Sequence, residues 1–261
     1  MHGELTHPAY GRLRRVTDSA SVLLADNPGL MTLEGTNTWV LSGPRSEEMV
    51  VVDPGPEDAE HVRQVAQVGK VSLVLISHRH GDHTGGIDQL VELTGAPVRA
   101  AGSGFLRGLG GRPLTDGEVI EAAGLRIQVV ATPGHTADSL SFVLDDAVLT
   151  ADTVLGRGTT VIDTEDGSLG DYLESLHRLR GLGHRAVLPG HGPDQPDLVA
   201  TADMYLAHRE ERLEQVRAAL RVLGADATAR QIVEHVYTDV DEELWGVAEW
   251  SVRAQLDYLR G

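Results

Sequence analysis

The chain has no cysteine among its 261 residues, so neither a disulfide nor a thiolate metal site is open to it. It holds one lysine, Lys70, and only 22 basic residues against 39 acidic ones, a formal charge of −17. Scarce lysine beside abundant Ala, Gly and Val fits a GC-rich coding bias and carries no functional inference. An acidic surface repels nucleic acid, so contact with a phosphate backbone would require a local basic groove. No run approaches the roughly 18 apolar residues of a membrane span. The opening "MHGELTHPAYGRLRRV" lacks the apolar core of a secretory signal. With cysteine also missing, these absences predict a cytoplasmic protein with no membrane partner. There is no short-period repeat and no low-complexity segment.

What is present is an alternation of apolar strands and helices. "SVLLA" (21–25), "NTWVLSG" (37–43) and "EMVVVDPG" (48–55) read as strands punctuated by turns. "PEDAEHVRQVAQVG" (56–69) reads as a helix with Val62, Val65, Ala66 and Val68 on its apolar face. "VSLVLIS" (71–77) is a continuous apolar run, as expected of a strand covered on both faces. A helix over 85–95 and a strand at "APVRAA" follow. Then come strands over 124–135, 138–146 and 147–153, with a turn at Asp145-Asp146. A helix over 168–183 and a strand at "RAVLPGHG" (185–192) complete the series. Interspersed helices with doubly covered strands predict an α+β chain: two sheets face to face, helices outside. Past the proline-rich "GPDQPD" (192–197) everything reads as helix. Leu244, Ala248, Val252, Leu256 and Leu259 repeat there at helical spacing. The expected division is a catalytic domain over 1–199 and a small helical appendage over 200–261.

The chemistry concentrates in "LVLISHRHGDHTGG" (73–86). Leaving a strand, residues two apart can project to one side, so His78 and His80 can share an ion while Asp82 and His83 turn toward another. Gly85 and Gly86 are expected to permit a tight turn and close packing as the next helix begins. Three more apolar runs end in ligand types: "TPGH" in His135, "LTAD" in Asp152 and "LPGH" in His191. Converging strand ends would group His78, His80 and His135 around one metal, and Asp82, His83 and His191 around a second, with Asp152 as bridge. Three protein ligands and a bridge leave each ion room for a shared hydroxide, as catalytic sites require. The remaining histidines (2, 7, 61, 177, 184, 208 and 235) read as bystanders, with His61, His177 and His208 exposed or partly packed on helices.

The motifs "VVDPG", "SHRHGDHTGG", "TPGHT", "TADT" and "LPGHG", in this order over roughly residues 20 to 195, resemble those of the metallo-β-lactamase-fold hydrolases. The resemblance implies a four-layer αβ/βα sandwich with a dinuclear metal site at one edge, and gives Asp53 a supporting role behind the ligands. "NPGLMTLEGTNTWVL", "LGRGTTV" and "AHREERLEQV" are further similar to the lactamase-β-like protein 2 group. That similarity implies a winged-helix-like tail and endoribonuclease action on single-stranded RNA. A bridging Asp152 sets the chain apart from true β-lactamases, which lack that carboxylate. The 38 residues between Asp152 and His191 are too few for the inserted domain of β-CASP nucleases. Glyoxalase II relatives carry a histidine where Arg79 stands.

The expected reaction is hydrolysis by a metal-bridging hydroxide, with Asp82 orienting the nucleophile and shuttling its proton. Nitrogen and oxygen ligands suit two zinc ions, with manganese or iron as alternatives. The expected substrate is a phosphodiester in single-stranded RNA. The alternative is a thioester, lactone or other acyl ester of a small anion, which the charge of −17 favours. A non-catalytic binding module is the minor alternative. Asn37, Thr159 and Thr160 lie in segments expected near the cleft, although no residue is assigned to the substrate. DNA is not an expected partner, since residues 226 to 261 hold eight acidic groups against three basic ones. The tail is instead expected to pack on the sandwich, wall the cleft or pair subunits in a homo-oligomer. Trp245 and Trp250 would anchor a core or interface.

Overall fold

The computed structural model describes residues 10–237 and 245–261. His2, His7 and Leu244 therefore lie outside the described residues. One sheet takes its six strands in chain order: β1 (Arg14–Arg15), β2 (Ala20–Leu24), β3 (Asn37–Leu41), β4 (Glu48–Val52), β5 (Lys70–Leu75) and β6 (Val98–Arg99). The second sheet is formed by β7 (Val119–Ala122), β8 (Leu125–Ala131), β9 (Leu140–Val143), β10 (Ala147–Ala151) and β11 (Ala186–Pro189), ordered 11-10-9-8-7. Between the strands run α1 (Ala59–Ala66), the single turn α2 (Gly81–Thr84), α3 (Ile87–Thr94) and α4 (Leu169–Arg180). The tail holds α5 (Leu198–Leu223), α6 (Ala229–Val236) and α7 (Trp245–Arg260).

Period-two alternation assigns each strand residue to one of three apolar layers. Val50, Val52, Leu73 and Leu75 face Ile127, Val129, Phe142 and Leu149 between the sheets. Val51, Val74 and Ile76 point the other way, onto Val62 and Val65 of α1 and Leu90 of α3. Val143, Val148 and Val187 leave the far side of the second sheet and meet Tyr172 and Leu176 of α4 and Leu198 and Tyr205 of α5. Covering on both faces is why these strands read as unbroken apolar runs. The layers are helix, sheet, sheet, helix. A fourth cluster holds the tail together, with Val216 and Ala219 of α5 packed against Ile232, Val233, Val252 and Leu256. Thr228 and Gln231 close a capping box at the start of α6.

Several details differ from the expectation. His61 is buried, with its Nε2 2.8 Å from Thr38 Oγ1. It faces inward because α1 packs its whole inner surface on the sheet. Gly85 and Gly86 have ordinary helical φ values of −60° and −80°, so they make no special turn. A Cβ on Gly85 would lie 2.5 Å from Glu57 N, and one on Gly86 2.9 Å from Pro54 O. Close approach to the loop after β4 is what these positions require. Trp245 packs into the tail cluster, whereas Trp250 is 42% exposed and anchors no core.

Candidate dinuclear metal centre

The site forms where strands end. β4 pairs parallel with β5, and β10 with β11. Two antiparallel pairings, β8 with β9 and β9 with β10, give β8 the same direction as β10. Asp53 follows β4, His78 follows β5, His135 follows β8, Asp152 follows β10 and His191 follows β11. This is the sheet edge at which ligands bind in folds with parallel strands. The two sheets are tied there: Asn37 N donates to Gly190 O at 2.8 Å, and Asn37 Nδ2 donates to Pro189 O and Gly192 O. Asn37 is thus a buried clamp between the sheets and does not line the cleft, contrary to expectation. Asp53 (φ 55°) and Ala151 (φ 44°) are both left-handed, the kind of backbone strain that collects at functional sites.

Seven side chains converge in two groups. His78, His80, His135 and Asp152 make one, and Asp82, His83 and His191 the other, with the candidate ligand atoms of each group within 4.8 Å of one another. Asp152 Oδ2 lies 3.7 Å from His135 Nε2 and 3.3 Å from His191 Nε2, while Oδ1 lies 3.5 Å from His83 Nε2. The carboxylate therefore reaches both groups. Asp82 Oδ2 accepts from Thr36 Oγ1 at 3.1 Å and sits 3.2 Å from His191 Nε2.

The outward nitrogen of every histidine faces an acceptor. His135 Nδ1 meets Val161 O at 2.6 Å, His191 Nδ1 meets Gly35 O at 3.1 Å, and His80 Nε2 meets Asp163 Oδ2 at 2.7 Å. His83 Nδ1 meets Asp53 Oδ2 at 2.9 Å, and Ser77 Oγ, which donates to that same carboxylate, accepts from His78 Nδ1. A neutral imidazole has one N–H, so protonating the outer nitrogen leaves a bare lone pair inside. These inner lone pairs crowd one another: His80 Nδ1 is 3.1 Å from both His78 Nε2 and His135 Nε2. Asp152 Oδ1 is buried and has no hydrogen-bond donor. Acceptors packed against acceptors fit a cation between them, and outer partners of this kind orient metal-bound histidines. The donor set is all nitrogen and oxygen, which suits a divalent ion of the zinc, manganese or iron type.

In the first group the electrostatics agree. Burial holds His78 well below its ordinary pKa and also lowers His135, keeping both as neutral ligands. Burial opposes the charge on His83 and His191 too. Yet Asp152, Asp82 and Asp53 carry His83 well above its usual value, and Asp152 with Asp82 brings His191 up to about 9. Burial raises Asp82, but the charge on His83 and the bond to His191 outweigh it and bring it to about 2. The second group thus has a field that strongly favours positive charge.

Beside these residues lies a cleft of about 280 Å³, walled by Leu30, Met31, Leu33, Leu155, Arg157, Thr159, Thr160 and Val161. Thr159 and Thr160 stand at the cleft as the sequence leads one to expect, and Thr160 Oγ1 donates to Asp152 O at 2.6 Å. Sequence reasoning misses three contributors. Asp163 comes from a turn with no motif around it, Thr36 from a strand edge, and Ser77 only from its place next to His78.

Fold and site together define a metal-dependent hydrolase, and the chain belongs to the metallo-beta-lactamase superfamily, whose model matches residues 31–191. Residues 228–260 match the beta-lactamase associated winged helix domain. A beta-lactamase-like protein 2 homolog of Caenorhabditis elegans is 30% identical over 257 residues, covering 92% of this chain and 81% of its own. A protein of Aspergillus chevalieri named atrochrysone carboxyl ACP thioesterase is 33% identical over 251 residues, covering 91% and 79%. The structure of a beta-lactamase domain protein from Burkholderia ambifaria shares the fold at 22% identity, with a TM-score of 0.80 over 98% of this chain and 89% of that one.

Proposed function

We propose that the chain hydrolyses acyl thioesters or closely related esters. The observation that carries this reading is the cleft wall. Its mouth is apolar, with Leu30 and Met31 65% and 45% exposed, and Arg157 on its wall is already engaged. Arg157 pairs with Glu34, and outside the cleft Arg79, next to His80, lies within 3.3 Å of Asp163, Glu165 and Asp166. An apolar acyl chain fits such a wall, whereas an RNA phosphodiester backbone needs unpaired basic groups. The thioesterase name of the Aspergillus chevalieri relative supports the same class. Single-stranded RNA is the second reading, favoured by similarity to the beta-lactamase-like protein 2 homologues.

Two divalent ions, when bound, would supply activated water at neutral pH and polarise the scissile carbonyl. His78, His80 and His135 would hold one ion, Asp82, His83 and His191 the other, and Asp152 both. Asp53 fixes His83, Asp163 fixes His80, and Val161 O fixes His135, so the ligands need no reorganisation. Thr36 orients Asp82, the carboxylate placed to accept the nucleophile's proton.

Zinc- or manganese-loaded protein offered a thioester panel beside single-stranded RNA tests this. Thioester turnover should fall about 10²- to 10³-fold in His80→Ala, the size of effect that follows loss of one group stabilising the transition state. RNA cleavage that His80→Ala abolishes, with no thioester turnover in either protein, would overturn the proposal in favour of the second reading.

A further inference from the structure

A second cavity, of about 270 Å³, adjoins the cleft, and Leu30, Thr159, Thr160 and Val161 wall both. The tail makes its far side, with His208, Arg209 and Arg212 from α5, and Val247, Ala248 and Ser251 from α7. No aspartate or glutamate stands on this wall, although the chain holds 39 acidic residues against 22 basic ones.

The two arginines lack counter-ions, and a guanidinium stays charged at any pH the fold survives. Arg209 is 4% exposed; Thr160 O accepts from its Nη2 and the Tyr172 ring lies 4.8 Å away, and neither group carries a charge. Arg212 is half-buried, its Nη1 donating to Gln215 Oε1 at 2.8 Å and its Cζ 5.1 Å from the centre of the Tyr237 ring. Neither arginine pairs with a carboxylate among the described residues. Glu210 and Glu214 of the same helix are held by Arg217, and Glu211 is exposed and off the wall. His208 registers the resulting field: burial lowers its pKa, and both arginines lower it further against a weaker pull from Glu211.

Positive charge held in a partly desolvated wall attracts an anion more strongly than the same charge in water. Burial divides the labour. Arg209 is sealed and acts through its charge. The N–H groups of Arg212 beyond Nη1 have no partner among the described residues and keep accessible surface, so an anion can touch them. Two cations on one wall suit a single terminal carboxylate, whereas an RNA strand needs such groups repeated along a groove.

We propose that the cavity between the tail and the loop after Asp152 binds a carboxylate at the far end of the acyl chain, with Arg212 as its contact. The preferred substrates are then thioesters or esters of dicarboxylic acids. The proposal rests on the acyl-hydrolase reading above and adds the chemistry of the acyl half. The methylenes of that half lie against Leu30 and Val161, which the two cavities share. Arg212 is a specificity residue that binds substrate and does not touch the reacting atoms.

Glutaryl, adipyl and suberyl monothioesters of one uncharged thiol test this on the metal-loaded protein, beside the pentanoyl, hexanoyl and octanoyl thioesters of the same thiol. At the best-fitting length the carboxylate should raise kcat/KM at least about tenfold, chiefly through KM, the worth of one hydrogen bond to a charged group. In Arg212→Gln, and in Ser251→Asp, which sets an acid on the same wall, that preference should drop below about twofold, whereas Arg212→Lys should keep part of it. The mono-N-methylamide of suberic acid should bind wild type in calorimetry and bind folded Arg212→Gln at least about tenfold more weakly. Thioester turnover with no preference for the carboxylate, or a preference that both folded variants retain, would overturn the carboxylate site and leave the acyl-hydrolase reading standing. Amide binding that Arg212→Gln weakens, without turnover of any thioester, would uphold the site and defeat that reading. RNA cleavage that falls in Arg212→Gln, with neither thioester turnover nor amide binding, would overturn both.

Discussion

Gly190 is the position at which chemistry constrains a single residue most tightly. A Cβ there would stand 2.2 Å from Asp152 Oδ1 and 2.9 Å from His83 Cε1, inside the space the carboxylate occupies. Gly190→Ala is therefore expected to displace Asp152 from at least one ion and to lower turnover about 10²-fold, the usual effect of a misplacement near 1 Å. Metal analysis of the purified variant should show fewer ions per chain than wild type; full occupancy with normal turnover would contradict this. The sequence pattern proline-glycine-histidine occurs twice, but its glycines do different work. Gly134 has φ 133°, and a Cβ on it would strike the Tyr172 backbone at 2.3 Å, so it serves helix packing. Spacing reveals the histidines because each closes an apolar run. It cannot reveal Asp163, which reaches His80 from 83 residues away through a turn that carries no pattern.

At the scale of elements, α1 shows what periodicity sees and what it misses. Val62 and Val65 are buried as their spacing implies, and His61 is buried beside them. Burial brings His61 down to about 4, against the weaker pull of Asp58. The folded pKa thus lies below the unfolded value of about 6.5, and the fold favours the neutral ring. Stability is complete above pH ~6.5 and is lost as the pH falls toward 4, because only the unfolded chain takes up the proton. The loss amounts to about 3 kcal/mol, since each tenfold difference in proton affinity between the two states is worth about 1.4 kcal/mol. Urea unfolding of metal-free protein between pH 7 and 4 should show this slope, and His61→Gln should reduce it. An equal slope in both proteins would refute the assignment. Most strands are legible in the sequence, since apolar runs with turn residues mark them. β7 escapes that pattern although a signal for it is present: only Ile120 of "VIEA" is buried, and Ala123 and Gly124 both have positive φ, the backbone of a tight hairpin turn.

For the whole molecule, the tail and the sandwich meet at the site. α5 begins against α4 and ends in the tail cluster, and on the way Arg209 stacks 4.8 Å from the centre of the Tyr172 ring. Arg209 Nη2 donates to Thr160 O, and Thr160 Oγ1 donates to Asp152 O. A tail helix is thereby linked in two steps to the residue that joins the two groups of ligands. Arg209→Met leaves the Thr160 carbonyl without its donor and is expected to destabilise the fold by about 1–3 kcal/mol. It should also weaken metal binding, which zinc titration of the folded variant would show; unchanged affinity would mean that the link is only structural. No helix among the described residues is long and apolar enough to cross a membrane. Seven converging side chains are placed to hold two metal ions, with Asp152 reaching both groups. Zinc titration of metal-stripped protein, followed by calorimetry, tests this most directly. Two ions should bind per chain, and fewer in Asp152→Ala; one ion or none in a folded wild-type protein would rule out the dinuclear site.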